Sequence, residues 1–400
     1  MSGRPIRNPQ STIRNYLPIM RHLYVHIPFC VRRCSYCDFS IAVRKRIPAR
    51  EYVDAVLGEL TLLRAADPGP TALGSLEAGL DTIYLGGGTP SLLPAEALGA
   101  LLAAIRNSQS VIRNSVEVTL EANPEDVTPD RAVAWRASGI NRVSLGAQSF
   151  DDGVLRWMHR SHDAARIGDA VRTLRAAGID NISLDLIFAL PGELRRDWSR
   201  DLDLACSLLP AHLSLYGLTV EDRTPLARWI SRGATSAPDD DRYADEYLFA
   251  HTRLAAQGYR FYEVSNACRD GFHSRHNSAY WSGRAYLGLG PAAHSYDGRA
   301  RRWNIAAWEA YARAIAAGRS PVASEEILTP AQRELERLYL ALRTAAGLRL
   351  TARYRQLPPI TAWAARGWVE IRDGRLACTP EGWLRLDALV RDLTDAGATV

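Results

Sequence analysis

Three cysteines fall within eight positions of the segment HIPFCVRRCSYCDFS: Cys30, Cys34 and Cys37. The chain's other three, Cys206, Cys268 and Cys378, lie far apart and read as core residues. Structural zinc normally takes four ligands arranged as two pairs. A single compact trio instead suits a [4Fe–4S] cluster, which would keep one iron free of protein thiolate. Such an open position is where an outside ligand binds at catalytic metals. S-adenosylmethionine (SAM) can chelate that iron through its amino and carboxylate groups. The cluster electron can then cleave the sulfonium C–S bond.

Polar residues recur where later apolar runs end. After DTIYLGG comes GGGTP, with Gly87, Gly88 and Thr89. Glycine lets backbone N–H groups approach a ligand closely, although a plain tight turn reads the same way. Glu121 ends SVEVTLEA and can pair with an ammonium or a ribose; alone it reads as a solvated strand-end charge. Gln148 ends RVSLGAQS and can both donate and accept. Arg160 follows on the next helix and can grip a carboxylate with two parallel hydrogen bonds. Asp185 interrupts SLDLIFAL, where a charge is costly unless satisfied, so it reads as a ribose-hydroxyl acceptor. Their shared position at successive strand ends strengthens all of them.

The elements that must position these groups are six β-branched runs, 23–27, 81–87, 115–122, 142–149, 181–190 and 212–220, separated by amphipathic stretches such as 49–66 and 94–107. Near-continuous apolar strands joined by helices predict a parallel sheet covered by helices. Six βα units are too few for the usual eight-fold closure. The expected fold is α/β: an open, partial (β/α)6 barrel over 21–235, after an N-terminal extension, 1–20. The cysteine trio then lies on the loop after the first strand, at the end where barrel active sites sit. Residues 236–320 form a further segment, expected to hold a helix at 241–257 and a strand at 259–265. In 321–400, a helix at 331–345 precedes a helix, a hairpin turning at Asp373-Gly374 and a last helix, a winged-helix-like α+β pattern. Its charges do not cluster on one helix, which favours packing or partner binding over DNA.

Composition is that of a globular protein, 47% hydrophobic and 23% charged. No run of about 18 apolar residues is present, so no transmembrane segment is expected. The N-terminus has no apolar signal region, and a reducing cytoplasm is the expected location. Net charge is +5, a weak pointer to nucleic acid, and none is expected as partner. Lys45 is the sole lysine against 48 arginines, a genomic base-composition bias.

The segment YVHIPFCVRRCSYCDF resembles the CxxxCxxC signature of the radical SAM family. YLGGGTPSLL, LEANPED, RVSLGAQSFDDGVLRWMHR and SLDLIFALPGE narrow the resemblance to its oxygen-independent coproporphyrinogen III oxidase branch, over roughly residues 20 to 390. The resemblance implies a [4Fe–4S] cluster on the trio. It implies a SAM site of Gly87, Gly88, Thr89, Glu121, Gln148, Arg160 and Asp185, with aromatic Tyr24 and Tyr36 against cluster and adenine. The oxidases usually carry a fourth cysteine two places after the trio, where Phe39 stands here, and a longer N-terminal arm than the 29 residues before Cys30. Both departures, and HNSAYW matching an HNxxYW motif, resemble the HemW-like haem chaperones. That branch implies haem as cargo and apo-haemoproteins, including respiratory ones, as recipients. His276 is then the expected iron ligand, helped by Asn277, Tyr280 and Trp281, with His273 and His294 as substitutes. A buried core histidine among aromatics is the plainer reading of the same residues. Radical decarboxylation of coproporphyrinogen III and radical haem modification are the alternative functions. Peripheral contact with a membrane, the oligomeric state and any enzymatic turnover are left open.

Overall fold

The protein is described from a computed structural model covering residues 20–66, 79–107, 115–355 and 357–397. The expected N-terminal extension lies outside these residues except for Met20. Six parallel strands form the frame: β1 (His22–Ile27), β2 (Thr82–Gly87), β3 (Glu117–Ala122), β4 (Arg142–Gln148), β5 (Asn181–Phe188) and β6 (His212–Gly217). Three short strands extend the frame beyond the expected six. β7 (Arg260–Glu263) and β8 (Asn266–Cys268) add antiparallel beyond β6, and β9 (Leu287–Leu289) adds parallel to β1. The order is β9-β1-β2-β3-β4-β5-β6-β8-β7, and its two ends do not pair, so the barrel is open.

The strands alternate rather than run continuously apolar, which corrects the sequence reading. Leu23, Val25, Ile83, Leu85, Val118, Leu120, Val143, Leu145, Ile182, Leu184, Leu213 and Leu215 face outward into one apolar core. The intervening residues are His22, Tyr24, Thr82, Tyr84, Thr119, Glu121, Arg142, Ser144, Ser183, Asp185, His212 and Ser214. Side chains one residue apart on a strand point to opposite faces. The second set therefore lines the lumen, where most of its members are held by side-chain hydrogen bonds such as His22–Thr82, Tyr84–Glu121, Ser144–Asp185 and Ser183–His212.

Helices cover the outer face: α1 (Ala49–Ala66), α2 (Ala95–Asn107), α3 (Pro129–Ala137), α4 (Asp152–Trp157), α5 (Ala164–Ala176), α6 (Trp198–Ser207), α7 (Pro225–Ser231) and α8 (Asp240–Ala256). Leu98, Leu101, Leu102 and Ile105 of α2 recur at helical spacing and are all buried. Side-chain caps start α3, α4, α5 and α6, at Thr128, Asp151, Asp163 and Asp197.

Beyond the barrel, a three-stranded antiparallel sheet joins β10 (His294–Tyr296), β11 (Ala300–Asn304) and β12 (Val322–Ile327). The C-terminal part has a second such sheet. A Thr329/Gln332 capping box starts the helix Pro330–Arg343. Strands Val369–Arg372 and Arg375–Cys378 form the expected hairpin, with left-handed Asp373 (φ 49°) and Gly374 (φ 72°) at its tip. Strand Leu348–Arg349 adds to the hairpin. Trp383 Nε1 donates to Leu342 O at 3.0 Å, and the apolar core runs without a break from the barrel into this part.

A buried ion network fixes the C-terminal ends of β4 and β5. Asp201 accepts from Ser149 Oγ (2.7 Å) and Phe150 N (2.8 Å). Glu246 accepts from Ala189 N (2.8 Å), and Arg196 lies between both carboxylates, 3.5 Å from Asp201 and 2.6 Å from Glu246. Ala189, held directly, and Gln148, next to the held Ser149, have left-handed φ of 57° and 66°. Non-glycine residues enter that region at a cost, so the network must over-determine them. Replacing Arg196 with Met strands two buried carboxylates. Urea denaturation should show a loss of about 3–5 kcal/mol. A loss within experimental error would mean that the network does not hold the strand ends.

Candidate functional site

The cysteine loop leaves β1 and is pinned from three sides. Its two-residue strand Phe29–Cys30 pairs in parallel with Ala42–Val43. His26 Nε2 is 3.0 Å from Ser40 O, at the far end of the loop, and His26 Nδ1 is 3.0 Å from Tyr24 OH. The glycine turn docks on the loop from the side: Gly88 N donates to Ile27 O and Thr89 N to Phe29 O, both at 2.8 Å. A Cβ on Gly87 would stand 2.7 Å from the His26 ring, and one on Gly88 would stand 2.8 Å from Phe29 O. At these two positions glycine is required by packing against the cysteine loop, whatever ligand the turn also meets.

All three cysteines are free thiols. Thr89 Oγ1 is 3.4 Å from Cys30 Sγ, and Arg160 Nη1 is 3.5 Å from Cys34 Sγ. Burial pushes the Cys30 thiol up to about 11 and also raises Cys37. Among the described residues no three His, Cys, Asp or Glu side chains close on a point fit for one metal ion. The thiolates of an iron–sulfur cluster each meet a different iron and need no common point. The donor set, three thiols beside an arginine, therefore fits an anionic cluster.

A cavity of about 430 Å3 opens beside the trio at the C-terminal ends of the strands. Cys30, Cys34, Cys37, Tyr36, Gly87, Gly88, Thr89, Glu121, Gln148, Arg160 and Asp185 all line it. Glu121 accepts from Tyr84 OH at 2.8 Å and from Gly87 N at 3.0 Å. Burial outweighs both bonds and lifts its carboxyl to about 7. Asp185 accepts from Ser144 Oγ at 3.0 and 3.1 Å, and burial raises it too. Arg160 donates to Asn123 Oδ1 and, at 2.9 Å, to Gly146 O. The chamber thus offers one guanidinium, two carboxyls raised by burial, amide N–H groups and three thiols.

Tyr24 does not reach the cavity. It lies deeper in the lumen, its ring 6.1 Å from that of Tyr84. The HNSAYW residues are also elsewhere. They form α9 (Arg275–Trp281), which closes the lumen at the N-terminal ends of the strands. Glu117 accepts from Arg275 N (3.1 Å) and His276 N (3.0 Å) at the start of this helix. His276 is 1% exposed, with Nδ1 2.7 Å from Thr82 Oγ1 and Nε2 2.9 Å from Tyr280 OH. Burial drives its pKa down to about 3. In this conformation it has no free ring nitrogen for haem iron. Asn277 N donates to Ser274 Oγ, and Arg343 stacks 4.1 Å over the Trp281 ring.

Residues 24–205 match the model of the radical SAM superfamily. The heme chaperone HemW of Mycobacterium tuberculosis is 40% identical over 378 residues, 93% of this chain and 94% of that protein. HemW of Bacillus subtilis is 33% identical over 82% of this chain and 85% of its own length. The chain belongs to the HemW family of radical SAM proteins. Coproporphyrinogen III oxidase (HemN) of Escherichia coli superposes with a TM-score of 0.76 over 94% of this chain and 91% of that one. At 21% identity this shows a shared fold and no more.

Sequence reasoning did not find Asn123, Ser144 or His159 among the cavity residues of this HemW-family chain. A strict period-two reading would have found Ser144, because it shares a strand face with Gln148.

The raised carboxyl of Glu121 has a measurable sign. In the unfolded chain it releases its proton near 4.5, in the fold near 7. The folded state therefore holds the extra proton between these values, and stability falls as pH rises from about 4.5 to 7. Glu121→Gln should remove on the order of 3 kcal/mol of that fall, measured by urea denaturation of the cluster-free protein at pH 5 and pH 8. An unchanged pH dependence would mean Glu121 is ionised in the fold.

Proposed function

We propose that this protein is a haem carrier: it binds haem, passes it to apo-haemoproteins and keeps a [4Fe–4S] cluster and SAM in the barrel cavity. The observation that carries the reading is the 40% identity over nearly the full length to a protein named a heme chaperone. Phe39, standing where the oxidases carry a fourth cysteine, supports the same branch. Likeness to HemN is one of fold and gives the oxidase reading no further support.

Cys30, Cys34 and Cys37 would hold the cluster, and Arg160 offsets its negative charge beside Cys34. When bound, the cluster supplies an open iron for SAM and an electron for its cleavage. Glu121, ionised, would take the SAM ammonium and so recover the cost of its own burial. Asp185, already oriented by Ser144, would accept from ribose hydroxyls, and Gln148 would do both. Gly87, Gly88 and Thr89 would face the methionine end, and Tyr36 would cover the cluster side. Asn123 holds Arg160 in place. Among the described residues no helix is long and apolar enough to cross a membrane. We place the protein in the cytoplasm, where three free thiols stay reduced. HNSAYW remains a candidate haem contact only if α9 moves, because His276 must first release Thr82 and Tyr280.

Anaerobically reconstituted protein should carry about four irons per chain. It should bind haem with a Soret band that saturates at a fixed stoichiometry. With SAM and a reductant it should leave coproporphyrinogen III unconverted. Conversion to protoporphyrinogen IX would restore the oxidase reading. The Cys30→Ala/Cys34→Ala/Cys37→Ala variant should hold no cluster. A cluster retained there would remove the trio from its assigned role.

A further inference from the structure

The haem-carrying reading requires an iron ligand, and the chain has nine histidines. Five are buried and hydrogen-bonded through the ring: His22, His26, His162, His212 and His276. His251 is stacked on Phe261 at 3.5 Å, with Nε2 buried. Three remain whose ring nitrogens have no hydrogen-bond partner among the described residues: His159, His273 and His294. Of these, only His159 lines the cavity.

The backbone at His159 carries a second signal. It follows α4 and its C-cap Met158, and its φ is +59°. His159 N donates to Arg156 O at 3.0 Å, and Arg160 N to Leu155 O at 2.8 Å. These two bonds form the helix-ending motif whose left-handed residue is ordinarily glycine. An imidazole held there stores strain, and such strain collects at functional positions. The imidazole leans edge-on to Trp229 at 5.2 Å, and Trp157 lies 5.8 Å from the same indole.

The cavity rim has the chemistry of a porphyrin contact. Val31 and Phe39 line it at 50% and 61% exposure, far more than apolar side chains need to show. Arg32, on the same rim, is exposed and makes no ion pair among the described residues. Haem presents iron, an apolar face and two anionic propionates. Free imidazole, exposed aromatic and aliphatic side chains and an unpaired guanidinium answer these in turn. The cavity floor is polar, and its volume suits one ligand of ordinary size.

We propose that haem docks over the mouth of the cluster cavity with His159 as its iron ligand, Phe39 and Val31 against the porphyrin and Arg32 meeting a propionate. The proposal rests on the haem-carrying reading and names the residues that perform it. It also sets the cargo above the SAM cavity, at the opposite end of the lumen from α9.

The test is a haem titration into wild type, His159→Gly, Phe39→Ser and His294→Ala, each reconstituted anaerobically. His159→Gly puts the preferred residue in the left-handed position, so it should melt no lower than wild type. It should bind haem at least tenfold more weakly and lose the imidazole-ligated Soret and visible bands. Added free imidazole should restore those bands. Phe39→Ser should weaken binding severalfold without changing the bands, and His294→Ala should match wild type. A His159→Gly protein with wild-type spectrum and affinity would overturn the proposal while leaving the haem-carrying reading intact. Wild type that binds no haem would overturn both.

Discussion

A lumen lined with polar side chains is the constraint on which the rest of the structure depends. Every second residue of the six parallel strands points into it, and each must find a partner or bear the cost of burial. Toward the closed end many of the partners are protein, while Thr119 Oγ1 and Arg142 Nε have no hydrogen-bond partner among the described residues. Thr82 serves both His22 and His276, Glu117 holds the start of α9, and Ser183 meets His212 at 2.8 Å. At the open end the balance is left incomplete. Glu121 and Asp185 have donors around them, yet burial still raises both carboxyls. Both carboxyls face the cavity beside the cysteine trio, where a ligand that carries an ammonium or hydroxyl groups would offset the cost of their burial.

The cysteine loop depends on the same barrel. Its start is an extension of β1, its end is tied to His26, and its flank is filled by the glycine turn after β2. Tyr84 and Glu121 connect this turn to the lumen, since Glu121 holds Gly87 N while Tyr84 OH holds Glu121. The ring of Tyr84 in turn lies 5.1 Å from that of His276 on α9. A continuous set of contacts therefore joins the plug to the cavity. Replacing His276 would disturb this set, so loss of haem binding in such a variant would not by itself identify an iron ligand.

Much of this was legible in the sequence, and the exceptions have physical reasons. The six strands, the long helix α1 and the Asp373-Gly374 hairpin were each signalled by periodicity or turn chemistry. The cysteine spacing identified the loop, and the polar residues at and after the strand ends, Glu121, Gln148, Arg160 and Asp185, do line the cavity. The strand expected at 259–265 is β7, but β8 and β9 have only three residues each, too few for a pattern to declare itself. The family resemblance implied Tyr24 against the cluster and adenine, but the tyrosine does not line the cavity and its ring lies 6.1 Å from that of Tyr84 in the lumen. His276 had the chemistry of a ligand, and only the fold reveals that both its nitrogens are occupied. His159 carried no sequence signal at all, because its left-handed backbone is a property of the helix end that precedes it.

The central claim is that this barrel carries haem and gives it away. The direct measurement mixes stoichiometrically haem-loaded protein with an apo-haemoprotein, under anaerobic conditions with the cluster in place, and follows both partners after separation. The account predicts that haem leaves this chain and appears as an active holo-protein faster than an excess of apo-myoglobin, added as scavenger in a parallel reaction, captures haem released spontaneously from this chain. Haem that stays on this chain, or that reaches the recipient only at the rate of its spontaneous release, would contradict it.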